Sequence, residues 1–158
     1  MSETGDDALL ARAQAIARDG FTSIVVGFDG SPTSRSALVF AGGLASRGDA
    51  ELLVVLVGEP NPVWAVSPGA TAADALETAE LAEILRADTA NQLDGLDVRW
   101  RFERRDGNPA EELLLAGRDV GADVIVVGRS SGGLAKRMMG SLTSHVTREA
   151  DRPVLVVP

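Results

Sequence analysis

The chain has no cysteine, which excludes disulfide bonds, thiolate metal sites and a cysteine nucleophile at once. It has a single histidine, so a histidine-rich metal centre is excluded and little general-base chemistry is left open. No apolar run approaches the roughly 20 residues that a membrane-spanning helix needs. The opening "MSETGDDALL" is acidic and lacks the basic-then-apolar layout of a secretory leader, from which a cytoplasmic location is expected. Net charge is −8, the wrong sign for a general nucleic-acid binder. The basic stretch "RWRFERR" does not reverse that reading. Its alternation puts Val98, Trp100 and Phe102 on one face and Arg99 and Arg101 on the other, as in a strand with a solvated outer side.

What remains is a chain of 158 residues, 45% hydrophobic and 24% charged, enough for one globular domain with a substantial core. Five strands are expected: Ile24 to Phe28, Glu51 to Val57, Val98 to Glu103, Asp123 to Val127 and Val154 to Val157. Three of them, within "SIVVGF", "ELLVVLV" and "DVIVVG", are nearly unbroken aliphatic runs, which suit strands buried on both faces of a parallel sheet. Between them lie helices with readable ends. Ser31-Pro32 opens one that runs to about Ser46, and Asn108-Pro109 opens another. Residues 72 to 93 form a third, with Leu81, Ile84 and Leu85 turned inward. Ser141 is expected to cap a fourth, which Pro153 ends. "GEPNPVWAVSPGAT" reads as a loop. The pattern predicts an α/β three-layer sandwich with a five-stranded, mostly parallel sheet between helices, spanning residues 21–158. Residues 1–20 stand outside it as an extension, helical from about residue 7 to 19.

Ligands of such sheets sit beyond the carboxyl ends of the strands. Two turns there carry suitable chemistry. "GFDGSP" offers Gly27, Asp29 and Ser31, and "GRSSGGLAKRMMGS" combines glycines, hydroxyls and cations after an apolar strand. The second lacks the Walker spacing, and the first lacks the G-x-G-x-x-G of a dinucleotide fold. Lys136 and Arg137 suit either an anion site or a solvated helical turn, and His145 reads as a surface side chain.

From about Thr22 to Pro158 the chain resembles the universal stress protein family. The resemblance is carried by "SIVVGFDGSPTSRSALVFAGGLA", "DGNPAEELLLAGRDVGADVIVVG", the glycine loop and "GSLTSHVTREADRPVLVVP". It implies a Rossmann-like fold, a homodimer formed through the last strand, and, in one branch, ATP or AMP held by a loop of pattern G-x2-G-x9-G-[ST]. Carried onto this sequence, it implies Asp29 near adenine and ribose, Val57 against the base, and Val127 and Gly128 at the strand end. Gly140, Ser141, Leu142 and Thr143 then fall at the phosphates. The middle of the loop departs from the pattern. Ser131 stands where the second glycine belongs, and the stretch before Gly140 is one residue short, so that Gly132 would have to take that role after a shift.

Three functions compete on these residues. One is a nucleotide-binding sensor or store, with Mg2+ accompanying ATP. Another is a homodimeric interaction module of the same fold that binds no nucleotide. The third, a hydrolase, is limited to slow turnover, because no histidine or Lys-Ser pair is placed to activate water.

Overall fold

The structure is a computed structural model. It describes residues 3–58, 72–129 and 135–158, with side chains described over 5–58, 79–129 and 142–158. The elements, in chain order, are α1 (Glu3–Asp19), β1 (Ser23–Gly27), α2 (Pro32–Gly48), β2 (Glu51–Gly58) and α3 (Ala72–Gln92). They are followed by β3 (Arg99–Asp106), α4 (Pro109–Asp119), β4 (Val124–Gly128), α5 (Ala135–Glu149) and β5 (Val154–Val157). The five strands form one sheet in the order β3-β2-β1-β4-β5, and every pairing is parallel.

The two faces of the aliphatic strands are separate cores, because successive side chains of a strand point to opposite sides. Ile24, Val26, Leu52, Val54, Val124 and Val126 face α2 and α3, meeting Ala37, Leu38, Ala41 and Leu85. Val25, Leu53, Val55, Ile125 and Val127 face α4 and α5, meeting Ala110, Leu113, Leu114 and Val146. The result is the three-layer sandwich that the strand-helix alternation implies.

Local signals act as read. Ser31 caps α2, its hydroxyl accepting from the Ser34 amide at 3.3 Å, with Pro32 in the first turn. Asn108 caps α4, its Oδ1 accepting from the amides of Ala110 and Glu111 at 3.0 and 3.2 Å. Val98, Trp100 and Phe102 turn to the core, while Arg99 and Arg101 are exposed.

Other expectations require correction. Strand β3 continues three residues past Glu103, in register with Leu56 to Gly58. Its Arg105 is tolerated there because Glu103 and Asp119, each 2.7 Å away, compensate the charge. Burial pulls the Arg105 guanidinium down, but these carboxylates outweigh it and raise it above its ordinary value. On α3, Leu85 is buried, but Leu81 and Ile84 are 51% and 64% exposed. The inward stripe of α3 is centred on Ala82, Leu85 and Thr89, so Leu81 lies at its margin and Ile84 turns away from it. Helix α1 starts at Glu3, four residues earlier than the periodicity suggests, and most of its described residues are exposed. A hydrogen bond from Arg12 to the Ala122 carbonyl, 2.9 Å, ties it to the amino end of the sheet. The expected loop "GEPNPVWAVSPGAT" lies outside the described residues apart from Gly58.

Candidate functional site

Strand order reverses around β1, which has β2 on one side and β4 on the other. The chain leaves β1 toward α2 on one face and leaves β4 toward α5 on the opposite face. Such a divergence opens a crevice at the carboxyl ends of the strands. The structure has a cavity of about 400 Å³ there. Gly27, Asp29, Val57, Val127, Gly128 and Leu142 all line it. The hydroxyl residues Ser31, Thr33 and Ser34 of the α2 start add polar groups to the wall.

Asp29 is set by a local turn. Its Oδ1 accepts from the Ser31 amide at 2.9 Å, and its own amide donates to Ser34 Oγ at 3.3 Å. Loss of solvent around the carboxyl pushes its pKa up, although the residue as a whole is exposed. Hydrogen bonds from Ser31 and Ser34 outweigh that and hold it below the ordinary aspartate value. Asp29 therefore presents a fixed negative charge at neutral pH.

Of the two strand-end glycines, Gly128 has a packing reason to be glycine. A Cβ on Gly128 would lie 2.5 Å from the Thr33 carbonyl oxygen and 2.9 Å from the Ser34 amide nitrogen, both backbone atoms of α2. A Cβ on Gly27 would meet only the Leu113 side chain, at 3.1 Å. Gly128 thus lets the start of α2 close over the end of β4, which brings the two sides of the crevice together.

The remaining sequence-predicted residues do not all join this lining. Ser131 and Gly132 lie outside the described residues. Gly140 and Ser141 lie inside α5, with side chains outside the described set, because the helix begins at Ala135 and not near Ser141. "AKRMM" consists of strong helix formers, and one interior glycine costs only about 1 kcal/mol, so the helix runs through. In a helix begun at Ala135, the amides of residues 140 and 141 bond to carbonyls four residues back and not to a ligand. Thr143 is half-buried on α5, its Oγ1 enclosed without a hydrogen-bond partner among the described residues.

The sequence reading missed Asn108 at the end of the β3–α4 connection and Pro109, Ala110 and Leu113 of α4, all of which line the cavity. The signal was present, since in a parallel sheet every strand-to-helix connection emerges at the same end. His145 was also misread. It is half-buried and lines the cavity, three residues after Leu142 and therefore on the same face of α5.

A doubly wound, wholly parallel α/β domain with a mixed polar and apolar crevice at its switch point is the class that fold and site define. The sequence profile of the universal stress protein family matches residues 20–158, and the chain belongs to that family. A universal stress protein of Thermus aquaticus, from the QAH/OAS sulfhydrylase 3′ region, is 36% identical over 139 residues, 87% of this chain and 98% of its own. A universal stress protein solved in complex with cAMP superposes with a TM-score of 0.65 at 24% identity, covering 87% of this chain and 97% of that one. One from Archaeoglobus fulgidus, solved in complex with dAMP, gives 0.63 at 19% identity, covering 87% and 98%. At these identities the two structures establish the fold.

Proposed function

We propose that the chain binds an adenine nucleotide, ATP, ADP or AMP, in the crevice between β1 and β4, and serves as a sensor or store in a stress response. The observation that carries this is the cavity of about 400 Å³ itself. Its floor of Val55, Val57, Val127 and Leu113 suits a planar base, and Asp29 offers an acceptor to a sugar hydroxyl or an exocyclic amine. The solved relatives with cAMP and dAMP support the same ligand class. With ATP, Mg2+ would accompany the phosphates, Asp29 being the carboxylate of the described lining. Turnover would be slow, since Asp29 is already engaged by Ser31 and its lowered pKa makes it a weak base toward water.

The start of α5 favours a second reading. If the helix begins at Ala135 in solution as well, Gly140 and Ser141 do not supply phosphate donors. The chain would then be an interaction module of the same fold, homodimeric through β5. Calorimetry with AMP and ATP separates the two readings. Submillimolar binding that is lost in Val57→Trp, a substitution that fills part of the cavity, supports the nucleotide reading. No heat at millimolar ligand sinks it, and mass spectrometry of the denatured protein checks that no ligand was carried through purification.

A further inference from the structure

The described cavity wall is electrostatically one-sided. Asp29, on the β1–α2 connection, is its fixed negative charge, while Ser31, Thr33, Ser34 and Asn108 contribute neutral groups. On the opposite side of the sheet, His145 of α5 is the described lining residue whose imidazole can donate a hydrogen bond to a phosphate oxygen. A ligand filling about 400 Å³ cannot avoid both ends. A phosphorylated one is repelled from Asp29 and drawn toward α5.

Resting on the nucleotide reading above, we propose that His145 is a phosphate-facing contact of this site. It would orient the ligand with its anionic end toward α5 and make binding of a phosphorylated ligand tighten as the pH falls.

Among the described residues, the surrounding charges are engaged elsewhere and do not pair with His145. From α4, packed against α5, the lining residues Asn108, Pro109, Ala110 and Leu113 are uncharged. Of the acids in the first turn of that helix, Glu112 lies 3.7 Å from Arg105, and Glu111 is exposed outside the lining. On α5, Arg148 pairs with Glu149 at 2.9 Å. Strand β5 has only Val154 to Val157, and the preceding Arg152 is engaged by Asp151 and by the Gly117 and Ala122 carbonyls. Asp29 is therefore the one ionised group of the described lining that faces His145 across the cavity.

A chain with a single histidine makes the test direct, because tag-free protein shows one imidazole signal by proton NMR. We expect saturating AMP to raise the His145 titration midpoint by about one pH unit and adenosine to leave it nearly unmoved. By linkage, AMP affinity should rise about tenfold more between pH 8 and 5.5 in the parent than in His145→Gln. Comparing the two proteins cancels the phosphate's own ionisation. If AMP binds but the midpoint stays put, or both proteins share one pH profile, the assignment fails and the nucleotide reading stands. An equal shift with adenosine would place His145 beside the nucleoside and overturn the phosphate role. If neither compound binds at millimolar concentration, the nucleotide reading falls and takes this inference with it.

Discussion

Gly128 can be tested as a packing residue independently of any ligand. In Gly128→Ala the new methyl would sit 2.5 Å from the Thr33 oxygen, 2.6 Å from the Thr33 carbonyl carbon and 2.9 Å from the Ser34 nitrogen. That is about 1 Å short of ordinary contact, and the atoms met are backbone and not a side chain that can rotate away. The first turn of α2 must lift from β4, straining the Ser31 cap and the Asp29 turn that depend on its position. Overpacking of this kind costs about 2–3 kcal/mol, equivalent to a Tm lowered by roughly 4–12 °C for a chain of this size. Gly27→Ala is the matched control. Its methyl meets only Leu113 Cδ1 at 3.1 Å and Cδ2 at 3.4 Å, and a small rotation of Leu113 relieves it at a cost of about 1 kcal/mol or less. Urea denaturation of both variants without nucleotide measures the difference. If Gly128→Ala stays within about 0.5 kcal/mol of the parent, α2 does not close on β4 in solution. The glycine would then be there for a ligand and not for packing.

Asp29→Asn should be less stable than the parent at neutral pH. The folded-state pKa of Asp29 is lowered, so its contribution is full above about pH 4 and disappears as the pH falls through the lowered value. An equal gap at pH 7 and pH 2.5 in denaturation curves would contradict the Asp29 turn. A chain starting at Phe21 should lose about 1 kcal/mol or less, because the Ala122 carbonyl that accepts from Arg12 also accepts from Arg152. A loss of 3 kcal/mol or more would make α1 part of the core. The homodimer proposed through β5 predicts that Val156→Glu, at a position 37% exposed on the edge strand, gives a folded monomer in sedimentation. A dimer of unchanged stability would place the interface elsewhere.

Sequence alone determined the elements and their layering. Unbroken runs such as "ELLVVLV" have no polar face, so they belong in a sheet covered on both sides, and Ser31-Pro32 and Asn108-Pro109 mark helix starts by local chemistry. Asp29 followed from the rule that such sheets bind at strand ends, since that end can be read from chain direction, whereas Val57 and Val127 came from the resemblance to the universal stress protein family. Tertiary structure decided what depends on neighbours distant in sequence. Gly128 must be glycine because of Thr33, nearly a hundred residues away, and nothing around position 128 signals that approach. Leu81 and Ile84 are exposed because α3 packs through the stripe centred on Ala82, Leu85 and Thr89, a rotation of the helix that its own sequence does not specify. His145 lines a cavity because α5 packs beside α4 at the carboxyl end of β4; its spacing from Leu142 gives it a face of the helix but not the cavity that this face meets. Periodicity determines which face of an element is apolar, and only the packed arrangement determines which polar group on that face meets a cavity.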